Sequence, residues 1–161
     1  MKIVVADTTP LIVLGRLDLL DKVVELLGVV YVTSSVVQEC TGNRKLPGAK
    51  KIASALERRI ISVSDEFDPE VSDRLNLDRG ESEAIALALA YQCPLLIDER
   101  KGRRIARELG LDIFGTGAAL VIAKNHGVID AVAPLLRQLD EMGIYMSANV
   151  KSQILIKSGE A

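Results

Sequence analysis

Short aliphatic runs alternate with helical patterns along the chain, and this alternation restricts the fold more than any other feature. Five runs of four or five residues are β-branched or leucine-rich without polar alternation, which is typical of buried strands. They are residues 2–6, 29–32, 60–63, 94–97 and 111–114. Segments with helical start and stop residues separate them. The alternation predicts an α/β three-layer sandwich with a central, mostly parallel sheet of about five short strands.

Composition sets further bounds. The 161 residues predict a single domain over residues 1–161, with a tail from about residue 145 that is either irregular or helical. The net charge of −2 provides no general basic field for a passive nucleic-acid binder, and two Phe, three Tyr and no Trp provide few platforms for base stacking. No apolar run reaches the roughly 20 residues that a bilayer crossing needs. Cys40 and Cys93 lack a CxxC or secretory pattern, which predicts buried free thiols in the cytoplasm.

Acidic residues stand at the ends of the predicted elements. They are Asp7, Glu39, Glu81, Glu83, Asp98 and Glu99. The carboxyl ends of parallel strands meet at one crevice of an α/β sheet, so several of these side chains are expected to converge there. Carboxylates held close together repel each other unless a cation neutralises them, and hard oxygen ligands select Mg²⁺ or Mn²⁺. We therefore predict a metal-dependent enzyme that acts on phosphate esters.

Four motifs carry a resemblance to a known family. They are Val4-Val-Ala-Asp7-Thr-Thr-Pro-Leu-Ile, Val36-Val-Gln-Glu39, Gly80-Glu-Ser-Glu-Ala-Ile-Ala-Leu-Ala and Leu95-Leu-Ile-Asp98-Glu-Arg. With these four motifs in this order, the chain resembles the PIN-domain nucleases over nearly its whole length. It resembles more closely the small prokaryotic branch that includes VapC-like toxins. The resemblance implies a Mg²⁺- or Mn²⁺-dependent endoribonuclease that cuts single-stranded RNA. It further implies a homodimer, a toxin–antitoxin pair and hence an antitoxin protein as partner.

The resemblance also implies roles for particular acids. In chain order, the four matched acids are Asp7 as the central metal ligand, then Glu39, Glu81 and Asp98. The third acid is commonly Asp in VapC-like chains, and here Glu83 competes with Glu81 for that role. Glu81 and Glu83 are two positions apart, so on a helix their side chains point about 200° apart and cannot both face one metal. Glu81 is preferred because it adjoins the predicted turn at Gly80. Glu99 also competes with Asp98 for the fourth position, because the family's spacing from the third acid to the fourth fits either residue.

Polar residues beside these acids are candidates for substrate binding. The hydroxyl of Thr8 or Thr9 could hold a phosphate oxygen or a water, although helix capping is their default role. Arg100, Arg103 and Arg104 follow the fourth acid and could bind the RNA backbone, or could form a solvated helix face.

Each acid also has a purely structural interpretation. Glu39 could be an exposed helix residue, and Glu81 with Glu83 could be first-turn acids favoured by the helix dipole. Asp98 could be the N-cap of the next helix, a role that is compatible with metal binding. His126 is the only histidine, which excludes a His-based zinc site; we predict it at a helix C-terminus or on the surface.

Two other functions compete with RNA cleavage. A phosphatase-like α/β domain could use Asp7 as a covalent nucleophile, but the haloacid-dehalogenase type of site has Asp-x-Asp there and the second position after Asp7 is Thr9. A degenerate PIN scaffold could bind a partner without catalysis, but the four intact acids argue against degeneration.

Residues 11–27 contain more leucine and valine than one buried helix face needs. The apolar set is Leu11, Ile12, Leu14, Leu17, Leu19, Leu20, Val23, Val24, Leu26 and Leu27. These side chains cannot all point the same way at 3.6 residues per turn, so the excess predicts an exposed patch for a second copy or an antitoxin helix. The alternative is that two short helices at an angle bury the whole set.

Overall fold

The computed structural model describes residues 2–161, within which the chain forms five strands and ten helices. The strands are β1 (Ile3–Ala6), β2 (Val29–Val32), β3 (Ile61–Val63), β4 (Leu95–Leu96) and β5 (Ile113–Phe114). The helices are α1 (Thr8–Arg16), α2 (Leu20–Leu27), α3 (Ser34–Thr41), α4 (Ala49–Glu57), α5 (Pro69–Asp73), α6 (Arg79–Tyr91), α7 (Arg100–Glu108), α8 (Thr116–Asn125), α9 (Ala133–Glu141) and α10 (Ala148–Lys157). None of these helices combines the length and apolar character that a membrane crossing requires.

All five strands run parallel in one sheet, in the order β3-β2-β1-β4-β5. The first strand is therefore central: the chain builds the sheet outward through β2 and β3, then returns to the other side of β1 for β4 and β5. This confirms the predicted α/β sandwich with its sheet of about five short strands.

The two faces of the sheet bury two separate cores, because successive side chains of a strand point to opposite faces. Val4, Ala6 and Leu96 face a core that includes side chains of α1–α4 and α8–α10. Val5 and Leu95 face a second core, against α6 and α7. Helices thus cover both faces, which explains why the strands read as continuous apolar runs.

The predicted start and stop residues set most of the helix boundaries. Thr33 caps α3 by accepting a hydrogen bond from the backbone N–H of Val36, and α2 ends at Gly28. One boundary differs from what the local sequence indicates: Asn76 and Gly80 favour a loop over residues 76–80, yet α6 begins at Arg79. The side chain of Asp78 accepts a 2.8 Å hydrogen bond from the N–H of Glu81, and this cap starts the helix earlier.

The prediction of an exposed apolar patch on residues 11–27 is wrong. Eight of the ten apolar side chains are buried and the other two, Ile12 and Leu26, are partly buried. The reason is that α1 packs against α2, α3 and α4, while α2 also packs against α8, so several faces of this helix pair have partners.

The C-terminal tail is helical and is held against the rest of the chain. Helix α10 packs on α8 and buries Ile154. The carboxylate of Glu160 accepts hydrogen bonds from the N–H groups of Val132 (2.8 Å) and Ala133 (3.0 Å) and pairs with Lys124 at 3.2 Å. These hydrogen bonds lower the pKa of Glu160 to about 2. Residues beyond α10 therefore tie the tail to α8 and to the start of α9.

Candidate active site

The site lies between β1 and β4, where the strand order reverses: β2 and β3 lie on one side of β1, and β4 and β5 lie on the other. Asp7 directly follows β1 and Asp98 lies two residues beyond β4; the N–H of Asp7 donates a 2.9 Å hydrogen bond to the carbonyl of Leu96. In open α/β sheets, ligands bind in the crevice beyond the carboxyl ends of the strands at such a switch point.

Asp7 is buried, with 4% of its surface exposed, and its Oδ1 atom has no hydrogen-bond partner among residues 2–161. Burial raises the pKa of Asp7 to about 7, opposed by the N–H of Thr8 and increased further by the charges of Glu39, Asp78 and Asp98. A buried carboxylate oxygen without a partner is costly, since nothing replaces its lost hydration. Asp7 therefore has an oxygen available to a ligand.

Glu39 approaches the site from α3. Its Oε2 accepts a 2.9 Å hydrogen bond from the hydroxyl of Thr8, the residue after Asp7. A Cβ atom built on Gly80, in the first turn of α6, would overlap with Oε1 of Glu39. Only glycine leaves room there, so the sequence at the start of α6 allows Glu39 to lie against that helix.

The first turn of α6 adds two more acids, Asp78 and Glu81. Glu81 is 8% exposed, and burial raises its pKa to about 8, with further contributions from the charges of Asp78, Glu99 and Asp7. Asp78 is not among the acids predicted from sequence, because Asn76 and Gly80 give its segment the composition of a loop. A signal was present: an Asp three residues before a Glu is a form of the capping-box spacing.

Asp98 completes the set from the end of β4. Its Oδ1 accepts a 2.7 Å hydrogen bond from the N–H of Thr116, and its Oδ2 lies 2.5 Å from the Thr116 hydroxyl. The interpretation of Asp98 as the N-cap of the next helix is wrong: Glu99 caps α7 by accepting a 2.7 Å hydrogen bond from Gly102. Asp98 instead binds the start of α8, one strand farther along the sheet.

The sequence matches a family model described as a PIN domain, over residues 3–160. The chain belongs to the PIN-domain family. PIN domains are generally nucleases, and they typically use divalent metal ions. No curated protein matches the chain. The observed parallel sheet with helices on both faces is consistent with this family, and the family match indicates a nuclease fold.

The two competing acids of this PIN domain have other partners. Glu83 pairs with Arg79 at 2.9 Å, one helical turn away on α6. The pKa of Glu99 is lowered, chiefly by the hydrogen bond from Gly102. Burial, followed by the charges of Asp78, Glu99 and Asp7, raises the pKa of Glu81, so Glu99 lies near Glu81 as Asp7 and Asp78 do, whereas Glu83 faces Arg79.

The predicted substrate-binding residues lie on two sides of Asp98. Thr9, at the start of α1, lines a groove with Asp98, and Arg103 donates a 2.8 Å hydrogen bond to the carbonyl of Ile97. Arg100 and Arg104 are exposed on α7 and line the adjoining groove. The hydroxyl of Thr8 donates its hydrogen bond to Glu39. His126 ends α8, as predicted for a helix C-terminus.

The acids of this PIN domain carry the oxygen ligands that a divalent cation such as Mg²⁺ or Mn²⁺ prefers. Within residues 2–161, no group of three or more His, Cys, Asp or Glu side chains is arranged to hold a metal ion as it stands. Asp7 nevertheless has an unpartnered oxygen, and its pKa and that of Glu81 are raised partly by neighbouring acids. A cation between these side chains would relieve that repulsion and supply Asp7 with its missing partner.

Proposed function

We propose that this PIN domain is a Mg²⁺- or Mn²⁺-dependent endoribonuclease that hydrolyses phosphodiester bonds of single-stranded RNA. The observation that carries the proposal is the buried, unpartnered Oδ1 of Asp7 at the switch point of the sheet. A carboxylate in a purely structural role has its oxygens satisfied by neighbouring donors, as Glu160 does with the N–H groups of Val132 and Ala133.

Four acids would hold the cation: Asp7, Glu39, Glu81 and Asp98, with Asp78 next to Glu81 as a further oxygen donor. When bound, the ion supplies charge neutralisation at the phosphate and acidifies a water molecule. Thr8 holds the carboxylate of Glu39, and Thr116 holds that of Asp98, so two of the four side chains have fixed partners. Hydrolysis then adds the oxygen of water to phosphorus while the bond to the leaving sugar oxygen breaks.

The toxin role is a finer proposal that depends on the same motifs. The order of the four acid-bearing segments resembles that of VapC-like toxins, which supports an RNA-cleaving toxin neutralised by an antitoxin protein. A homodimer is proposed on that resemblance alone, because the apolar residues expected to form its interface are buried in the chain's own core. The free, buried thiols of Cys40 and Cys93 suit a reducing cytoplasm.

The direct test is cleavage of end-labelled single-stranded RNA by the purified chain, with Mn²⁺ or Mg²⁺ and with EDTA. We expect cleavage with either metal, none in EDTA, and none with the Asp7→Asn variant. Asp18→Asn is the matched control: Asp18 is exposed and has a φ of 57°, a conformation that Asn tolerates. It should cleave like the wild type.

Two outcomes would replace the proposal with its alternatives. RNA binding without cleavage in any metal would favour a catalytically inactive PIN scaffold. Hydrolysis of a small phosphomonoester, with RNA left intact, would favour a metal-dependent phosphatase.

A further inference from the structure

A trough beside Asp98 extends the candidate active site toward the C-terminal segment. It consists of two adjoining grooves, of about 700 and 1200 Å³, which share Asp98, Arg103, Arg107 and Tyr145 in their linings. Helix α7 forms one wall, and the segment from Ile144 into α10 forms the other. The trough therefore begins at one of the proposed metal ligands.

Cations outnumber acids along the α7 wall. Five cationic side chains line the larger groove, against the carboxylates of Asp98 and Glu99. They are Arg100, Lys101, Arg103, Arg104 and Arg107. Because the whole chain has a net charge of −2, this positive charge is a local feature. A polyanion is the occupant that such a wall attracts.

Tyr145 stands between the two grooves with 84% of its surface exposed. The other four aromatic residues, Tyr31, Phe67, Tyr91 and Phe114, are only partly exposed. Its neighbours Ile144 and Met146 pack against the core, so the backbone at this point is anchored while the ring remains free. An exposed aromatic ring next to a cationic wall has the composition of a binding site for single-stranded nucleic acid.

We propose that Tyr145 is a stacking platform for one base of the RNA, while Arg107 and the other cations of α7 contact the phosphates. This inference rests on the proposed function for its substrate class and adds a positioning residue on the C-terminal segment. A single strand is favoured over a duplex because its bases have free faces that can stack on the ring.

The test is the affinity of the full chain for a labelled single-stranded RNA in EDTA, where cleavage does not interfere. Tyr145→Ala and Tyr145→Leu should weaken binding by about 5- to 150-fold, which corresponds to one lost base stack. Tyr145→Phe keeps the ring and should bind like the wild type. Ile156→Ala is the matched control, since Ile156 is a 59% exposed apolar residue of α10 outside the trough lining.

Two further arms separate stacking from charge. On an RNA in which the bases are replaced by abasic sites, Tyr145→Ala should bind like the wild type, because there is no base to stack. Tyr145→Ala should leave the salt dependence unchanged, whereas Arg107→Ala should reduce the slope of log K against log salt by roughly 0.7. Equal losses on normal and abasic RNA, or normal affinity of Tyr145→Ala for normal RNA, would overturn the proposal.

The outcomes also distinguish this inference from the proposed function. If the wild type cuts RNA with Mn²⁺ and Tyr145→Ala binds normally, the stacking role fails and the nuclease stands. If neither the wild type nor any variant cuts RNA but Tyr145→Ala and Tyr145→Leu both lose base-dependent binding, the stacking role stands and the nuclease fails.

Discussion

Thr116 donates both its N–H and its hydroxyl to the carboxylate of Asp98, at 2.7 and 2.5 Å. The two residues are 18 positions apart and meet because β4 and β5 are neighbours in the sheet. Thr116 is fully buried, whereas Asp98 is partly exposed and lines the grooves beside it. This contact fixes the orientation of the acid that stands across the switch point from Asp7.

Replacing Thr116 by Val removes the hydroxyl and keeps the shape of the side chain. We expect a loss of about 1.5 to 3 kcal/mol in the free energy of unfolding, as for a hydrogen bond to a charged group. The affinity for Mn²⁺ should fall by about 10- to 100-fold, as when a residue that orients a metal ligand is removed.

Thr116→Ser, which keeps the hydroxyl, should restore the Mn²⁺ affinity. Thr41→Val is a control, because it removes a hydroxyl that bonds only to the carbonyl of Val37 within α3. Unchanged Mn²⁺ affinity in Thr116→Val would show that Asp98 needs no such support.

Asp7→Asn should stabilise the metal-free protein, increasingly so with rising pH. The folded pKa of Asp7 is about 7 against an ordinary value of 3.8, so the folded state favours the protonated form. Below pH 3.8 both states are protonated and ionisation imposes no penalty. As the pH rises through 7, the cost of ionising Asp7 in the folded state lowers the free energy of unfolding by an amount on the order of 4 kcal/mol. Asn cannot ionise, so the variant does not have this cost.

Denaturant unfolding in EDTA at pH 5 and pH 8 measures this effect, with Asp18→Asn as the matched variant. The stability advantage of Asp7→Asn should be larger at pH 8. A large loss of stability at both pH values would instead make Asp7 a structural residue.

The strands, and the position of Asp7 at the end of the first one, could be predicted from sequence because each depends on local pattern. The β-branched run ending at Ala6 defines β1 and so places Asp7 at its end; Thr33 and Gly28 define helix boundaries by their own chemistry. These features require only near neighbours.

The remaining features depend on packing between distant segments. The contact of Asp98 with Thr116 follows from the order of strands in the sheet, which the helical and strand periodicities do not determine. The many apolar residues of α1 and α2 suggest an exposed surface because the sequence does not show which helices pack on them. Helix α8, far along the chain, is one of those helices. Asp78 was missed for a local reason: its cap extends α6 into a segment whose Asn and Gly favour a loop.

Gly80→Ala should reduce activity without destabilising the fold. The new methyl group would overlap with the carboxylate of Glu39, which is the flexible end of an exposed side chain and can move away. Glycine to alanine within a helix gains about 0.4 to 1 kcal/mol. RNA cleavage should therefore fall at least about tenfold, by analogy with a lost metal-orienting residue, while the melting temperature holds or rises.

Gly15→Ala is the matched control, since a methyl group there meets its neighbours at an ordinary 3.4 Å. It should keep full activity. Full activity in Gly80→Ala would mean that the position of Glu39 is unimportant for cleavage.

Glu160→Gln should weaken the attachment of the C-terminal tail. The pKa of Glu160 is lowered to about 2, so its ionised form contributes stability above its ordinary pKa of 4.5, and this contribution is lost as the pH falls toward 2. The variant should melt below the wild type at pH 7, and the difference should shrink at pH 3. Glu141→Gln, at the exposed end of α9, should change neither value.

Calorimetric titration with Mn²⁺ tests the central claim most directly, by comparing the wild type with Asp7→Asn, Glu81→Gln and Glu83→Gln. The carboxylates around Asp7 should bind the ion, so Asp7→Asn and Glu81→Gln should weaken binding by at least about tenfold, as expected when a charged ligand is lost. Glu83→Gln should bind like the wild type, because Glu83 pairs with Arg79. Wild-type affinity for Mn²⁺ in Asp7→Asn would contradict a metal site centred on Asp7.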